Sequence, residues 1–287
     1  MRILVTGHAG FIGSALTNRL LSLGHTVTGI DNFSRGSKLK IDENFSDRLI
    51  SYSCDLLNQD RLSQILFRER PSIVFHLAAK TSVPESFKDP RGFWENNVTA
   101  TNNLLEVAID LGVDKFVFAS SSSVYGNCAT LNTPESSFTG AQQLSPYAFS
   151  KAVCERTIRF ARSHRSLNYS ILRFFNVYDR KGGGRGVIDT WINAAKSGGT
   201  IAQYGNTIRD YTHVEDIVTA CVLAMGSSVS DTYNIGSGEA ISLSQLATNL
   251  KVNPLIGPAR MGDIQECSAD ISKARSELGY TPVHSGF

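Results

Sequence analysis

Cysteine is scarce and scattered. Cys54, Cys128, Cys154, Cys221 and Cys267 are odd in number and form no C-x-x-C pair. That distribution suits neither a disulfide framework nor a zinc ligand set. The six histidines include no H-x-x-x-H pair, so no metal site is expected. An excess of one charge is also lacking. The formal net charge is +2 and no long basic run occurs, which leaves no electrostatic footprint for nucleic acid or an anionic membrane. No apolar stretch reaches bilayer-spanning length, no signal peptide precedes the first apolar run, and no segment repeats or is of low complexity. A cytoplasmic protein is the expectation.

What is present is ordinary globular material: 41% apolar residues in a chain of 287. This is enough for one large α/β domain with a smaller companion. The first stretch sets the frame. Ile3, Leu4 and Val5 form a short apolar run suited to a buried strand. Gly7, Gly10 and Gly13 follow in a G-x-x-G-x-x-G pattern, with Phe11 and Ile12 opening a helical pattern that continues through Ala15, Leu16, Leu20 and Leu23. A strand that runs through glycines into a helix leaves unpaired N–H groups aimed at one point, where a pyrophosphate would be held.

Strand and helix signals then alternate. Thr26–Ile30 reads as a second strand ended by Asp31, eighteen residues beyond Gly13. An acid there would bind the adenosine ribose hydroxyls and repel a 2′-phosphate, which favours NAD over NADP. Arg35 could soften that preference. Leu49–Ser53 is a third strand. Asp55-Leu56 after it is either an adenine neighbour or a helix cap. A helix over Arg61–Arg70 stops at Pro71. A strand over Ser72–Leu77 leads into Ala78, Ala79 and Lys80, where small residues let a cofactor approach. Asn96–Leu111 is a long helix, in which Asn97 either turns toward the cofactor or is a polar spot near the helix start. Lys115–Ala119 is a fifth strand. This alternation implies a doubly wound parallel sheet covered on both faces.

The run Ser120, Ser121, Ser122, Ser123 stands at the end of that fifth strand, where open α/β sheets bind ligands, although a serine run alone is also what a plain loop looks like. Tyr147 and Lys151 follow on a helix opened by Pro146 and share one face at i and i+4. The spacing alone is a weak signal; its place beside the serine-rich edge carries more. A tyrosine titrates near pH 10 unaided. An ammonium and a positive nicotinamide ring would both favour its phenolate, so Tyr147 could serve as a general base with a serine bonding the same substrate oxygen.

These motifs together resemble the extended short-chain dehydrogenase/reductases, in the NAD-dependent sugar-nucleotide epimerase/dehydratase branch, and are most like its UDP-glucose/UDP-N-acetylglucosamine 4-epimerases. The resemblance runs from Met1 to about Pro282. It rests on Thr6–Gly13, Asp31-Asn32, Asp55-Leu56, His76-Leu-Ala-Ala79, Ser120–Gly126, Tyr147-x-x-x-Lys151, Arg173-Phe-Phe-Asn-Val-Tyr178, Arg209-Asp-Tyr-Thr-His-Val-Glu-Asp216 and Arg260-Met-Gly-Asp263. It implies a Rossmann-like sheet with a smaller C-terminal α/β substrate lobe, NAD as cofactor and a UDP-sugar as substrate. It makes Ser121, Tyr147 and Lys151 the catalytic residues, with Lys151 also on the nicotinamide ribose. Asn32, Ser34, Arg35, Gly36, Leu77, Asn97, Ser120 and Phe175 join the glycines, Asp31, Asp55, Leu56, Ala78, Ala79 and Lys80 around the cofactor. Asn176, Arg209 and Arg260 would grip the substrate diphosphate, Asp263 the nucleoside ribose, and Ser122, Ser123 and Cys267 would border the sugar.

The chain departs from the family pattern in three places. Asp179-Arg180-Lys181 and three glycines replace the usual glycine-proline after Asn-Val-Tyr, the chain stops at Phe287, and the small Cys267 leaves room for an N-acetyl group. The implied division is 1–174 with 213–236 for the cofactor, and 175–212 with 237–287 for the sugar nucleotide. Helices around Ala100–Ala108 and Ala152–Phe160 resemble those that pair subunits, so a homodimer is expected. The implied activity is C4 epimerisation through a transient 4-keto sugar. The alternatives are a 4,6-dehydratase, against which Ser122-Ser123 speak, a sugar-nucleotide decarboxylase, against which Ser123 speaks, a 4-keto reductase, or a non-catalytic nucleotide-binding protein on the same fold.

Overall fold

The computed structural model describes residues 1–35, 42–137, 142–181, 183–184 and 186–284. Its first half is a strict alternation. Strands β1 (Arg2–Thr6), β2 (Thr26–Asp31), β3 (Leu49–Ser53), β4 (Ile73–His76), β5 (Lys115–Ser121) and β6 (Tyr169–Phe174) are interleaved with helices α1 (Phe11–Ser22), α2 (Gln59–Glu69), the short α3 (Val83–Lys88) and α4 (Pro90–Phe93), α5 (Ala100–Asp110) and α6 (Pro146–Arg165). Apolar runs such as Ile3–Val5 and Ile73–Phe75 are buried on both faces, as a parallel sheet requires.

The second half adds β7 (Asn176–Tyr178), α7 (Val187–Ser197), β8 (Ala202–Tyr204), β9 (Ile208–His213), α8 (Val214–Gly226), β10 (Asp231–Ile235), β11 (Ala240–Ser242), α9 (Leu243–Leu250), β12 (Leu255–Gly257), β13 (Glu266–Cys267) and α10 (Ser272–Leu278). Of these, only β10 enters the main sheet. The order is β10-β6-β5-β4-β1-β2-β3, with every pairing parallel.

The chain moves outward from β1 to β3 and then returns to β1's other side at β4. That reversal opens a crevice at the C-terminal ends of β1 and β4, where this class of sheet takes its ligands. One apolar layer joins α1 and α8 to the sheet through Leu16, Leu20, Ile217 and Val218. The other joins α2, α5 and α6 through Leu62, Leu66, Leu104 and Ile158.

A separate core of Tyr178, Trp191, Leu243 and Leu246 supports the smaller lobe. There β9 is flanked by β11 and β13 and also pairs with β7. The helix expected over Asn96–Leu111 differs at its start: Trp94–Thr99 is a π-helical segment that runs into α5. No helix among the described residues is long and apolar enough to cross a membrane.

Candidate active site

The glycines shape the first part of the site. Gly7 has φ +70°, and a Cβ on it would lie 2.8 Å from the Ala78 nitrogen. A Cβ on Gly13 would lie 2.0 Å from the Gly7 carbonyl oxygen, whereas on Gly10 the same contact would be 3.1 Å. Gly13 therefore lets α1 start directly against the end of β1. No side chain caps that helix and no acid sits in its first turn, so the positive end of the helix faces the cleft through Gly10, Phe11, Ile12 and Gly13.

The Asp31 carboxylate closes the turn from the β2 side, accepting from the Ala9 N–H at 3.1 Å and the Phe33 N–H at 2.8 Å. Asn32 donates to Asp55 at 2.9 Å, and Asp55 also accepts from the Leu57 N–H at 2.9 Å. Arg35 is drawn to Glu85 by an ion pair. Its charge is therefore partly committed and is a weaker counter to the NAD preference set by Asp31. Gly36 lies outside the described residues.

The cleft has a volume of about 900 Å³. The cofactor residues expected from sequence line it: Gly7, Gly10, Phe11, Ile12, Gly13, Asp31, Asn32, Ser34, Arg35, Asp55, Leu56, Leu77, Ala78, Ala79, Lys80, Ser120, Tyr147, Lys151 and Phe175. Asn97 does not. It is buried behind the cleft, where its side chain accepts from the Lys80 N–H at 2.8 Å and donates to the Lys80 carbonyl at 3.0 Å and to Ser150 at 2.9 Å. It braces the loop after β4 rather than reaching into the cavity. An uncapped helix end, a cradle with no room for a Cβ and an acid at the end of β2 fit a dinucleotide.

At the far end of the same cleft, β5 and α6 meet. Ser145 caps α6 by accepting from the Ala148 N–H at 3.1 Å, with Pro146 in the first turn. The helix then turns Tyr147, Lys151 and Glu155 inward. Ser121 is the last residue of β5; its hydroxyl donates to Ser123 Oγ at 3.1 Å and acts on the Tyr147 phenol.

Burial pushes the Tyr147 phenol above its ordinary range, and the Ser121 bond pulls it back. The Lys151 ammonium donates to the Ala119 carbonyl at 2.8 Å and lies 4.7 Å from the Phe118 ring centroid. Burial draws Lys151 itself down to about 8, opposed by Cys154 and Glu155.

A smaller cavity of about 140 Å³ adjoins the cleft and shares Ser122, Ser123 and Asn176 with it. Arg209, Asp263 and Cys267 complete its polar wall. Arg209 is held by the backbone, donating to the carbonyls of Ile208 at 2.9 Å, Gln265 at 3.1 Å and Ile264. Arg260 lies on the cleft side with its guanidinium carbon 3.7 Å from the Tyr204 ring centroid. Gly262, at φ +82°, brings this loop against Phe87 and the Leu144 carbonyl, leaving no space for a side chain. Arg209 and Arg260 thus stand beside amide and hydroxyl groups, with the Asp263 carboxylate within reach of both charges, a donor set chemically suited to an anion.

Sequence reasoning missed two contributors. Val83, Pro84 and Glu85 of α3 line the cleft, but nothing in their composition marks them. Asp189, buried on α7, accepts from the Gly184 N–H at 2.8 Å and the Asp179 N–H at 3.3 Å, and so gathers the glycine-rich loop that follows β7. Its position in the first turn of an amphipathic helix was the available signal.

The fold and cleft define a nicotinamide-dinucleotide-binding α/β protein. The chain belongs to the NAD dependent epimerase/dehydratase family, whose model matches residues 3–236. It is 36% identical to a UDP-glucose 4-epimerase of Mycolicibacterium smegmatis over 98% of this chain and 94% of that protein. Among solved structures, the UDP-glucose 4-epimerase of Thermotoga maritima with UDP-glucose matches at TM-score 0.91 and 33% identity, covering 99% of this chain and 94% of that one. The Thermus thermophilus UDP-glucose 4-epimerase in complex with NAD matches at TM-score 0.89 and 31% identity, covering 100% and 95%.

Proposed function

We propose that this protein interconverts the C4 epimers of a UDP-hexose, through a transient 4-keto sugar and with tightly held NAD. The observation that carries the reading is the convergence of Ser121, Tyr147 and Lys151 on the cleft that the glycine turn opens. When bound, NAD supplies a hydride-accepting ring that carries positive charge. Gly7, Gly10, Gly13 and Asp31 hold its phosphates and adenosine ribose, and Lys151 its nicotinamide ribose. Tyr147 takes the proton from the sugar 4-hydroxyl and later returns it, with Ser121 bonded to the same oxygen. Asn176, Arg209 and Arg260 grip the diphosphate and Asp263 the nucleoside ribose, so the sugar end is free to turn between the two transfers.

Ser122 and Ser123 border the sugar with no carboxylate to drive loss of water, which disfavours a dehydratase. Cys267 closes the smaller cavity with a small side chain, which supports tolerance of a 2-acetamido group. The separate core of the second lobe supports a functional division of 1–174 with 213–236 from 175–212 with 237–287.

We also infer a homodimer through α5 and α6. Exposed Trp94 and Phe149 stack at 6.0 Å and exposed Phe160 continues the α6 face. A monomeric mass in light scattering would remove that assignment. Cys54, Cys154, Cys221 and Cys267 are all free thiols, which supports a reducing, cytoplasmic setting. Turnover of UDP-sugars by wild type and by Tyr147→Phe tests the function. NAD retained with activity lost supports it, and unchanged activity removes Tyr147 from the chemistry.

A further inference from the structure

Helix α6 carries a second buried ionised group one turn beyond Lys151, and the proposed chemistry makes no use of it. Glu155 is 0% exposed. Its Oε1 accepts from Ser120 Oγ at 2.6 Å and Arg173 Nε at 2.9 Å, and its Oε2 from Arg173 Nη2 at 2.8 Å and Arg159 Nη2 at 2.8 Å. Arg173, 1% exposed, also donates to the Tyr125 hydroxyl at 2.9 Å and the Glu135 carbonyl at 3.1 Å. Desolvation strongly opposes an ion pair so deep, and such a pair is weak evidence of stability for its own sake.

The pair ties together the elements that meet at the site. Arg173 lies on β6 in register with Ser120 of β5. Ser120 precedes Ser121, which lines the cleft together with Tyr147 and Lys151. Tyr147, Lys151 and Glu155 share the inward face of α6 at i, i+4 and i+8.

We propose that Glu155 and Arg173 are positioning residues of this site: the pair fixes the strand end bearing Ser121 against the helix face bearing Tyr147 and Lys151. The proposal deepens the reading of Tyr147 and Lys151 as the reacting pair and rests on it. Glu155 follows Lys151 by one turn on the same buried face of α6 and is itself paired with Arg159 on that helix and with Arg173 on β6. The Arg173 bonds and charge hold its carboxyl below the usual range in spite of burial, which by itself would raise it. Near Lys151 the Glu155 charge opposes the desolvation that otherwise favours the neutral amine.

The lysine can be read directly. The full-length chain is labelled with isotopic lysine and titrated by NMR, NAD-free and NAD-loaded, and the Lys151 signal is assigned by its loss in Lys151→Met. Glu155→Gln keeps the shape and removes the ion pair; the Lys151 signal is expected to move and broaden as its seat on the Ala119 carbonyl loosens. Turnover on the same samples is expected to fall about tenfold or more in kcat rather than KM. Glu155→Gln leaves Arg173 uncompensated, so Glu155→Gln/Arg173→Met, which removes both partners of the tie, is run beside it with the same displacement expected.

Tyr125→Phe removes one Arg173 hydrogen bond and keeps the ion pair, and should leave the Lys151 signal in place. An unmoved Lys151 signal in a folded Glu155 variant overturns the proposal, whatever the melting temperature does. So does an equal displacement in Tyr125→Phe. Because the signal comes from the lysine itself, a wild-type chain inactive on UDP-sugars would sink the functional reading and leave this test intact.

Discussion

The carbonyl oxygen of Gly7 occupies the space that a Cβ at position 13 would need, 2.0 Å away. Gly13→Ala must therefore push α1 off β1 or twist the turn. Overpacking of this kind costs about 1–3 kcal/mol. NAD affinity should drop by about tenfold or more, read as the nicotinamide content of the purified protein and by calorimetry. Gly10→Ala, whose Cβ would meet the same oxygen at 3.1 Å, should lose less. Equal losses would mean that the turn is not the pyrophosphate cradle.

Tyr147→Phe should lower turnover by about 10²–10⁴-fold, the usual contribution of a positioned acid–base group, while NAD content stays at the wild-type level. In the NAD-free chain burial keeps the phenol above its ordinary range. Loading with NAD should bring it down, because a positive ring favours the phenolate. Ultraviolet difference titration of wild type against Tyr147→Phe measures this, and a phenol that NAD leaves unmoved would count against the general-base role.

The two arginines should separate binding from stability. Arg209 satisfies the carbonyls of Ile208, Gln265 and Ile264 from a half-buried position. Arg209→Ala should cost about 2 kcal/mol of stability for the acceptors left unpaired, as well as UDP-sugar affinity. Arg260 rests on the Tyr204 ring, so Arg260→Ala should weaken UDP binding with little change in denaturant midpoint. Calorimetry and urea unfolding on the same preparations check both.

Acid should destabilise the fold through His76. Its ring is buried between the hydroxyls of Thr6 at 2.7 Å and Thr101 at 2.8 Å, and burial, with a further push from Lys151, lowers it to about 3. The unfolded chain takes up that proton near 6.5. Between those values the unfolded state therefore binds more protons, and stability falls as pH falls. The loss should reach a few kcal/mol, on the order of 1.4 per pH unit. Urea unfolding from pH 7 to 4 should show a shallower slope in His76→Leu than in wild type.

Much of the main sheet was legible because its signals are local. Ile3–Val5 and Leu49–Ser53 are short apolar or β-rich runs, and the glycines mark the turn that follows β1. Tyr147 and Lys151 were readable for the same reason, since helical spacing fixes their common face. Arg209 on β9 shows the limit. The strand Ile-Arg-Asp-Tyr-Thr-His mixes charge with apolar residues, because β7, β11 and β13 cover it from distant parts of the chain. Asn97 was ambiguous because the π-helical segment that seats it has no sequence pattern of its own. The seat of Lys151 depends on Ala119 and Phe118 of β5, a relation between separate elements that no single window contains.

Incubation of the purified protein with UDP-glucose, UDP-galactose and their 2-acetamido counterparts, followed by chromatography of the products, tests the central claim most directly. The expected result is conversion within a C4 pair, reaching the same ratio from either side with no net NADH. A dehydrated or reduced sugar, or no conversion of any UDP-hexose by protein that holds NAD, would contradict it.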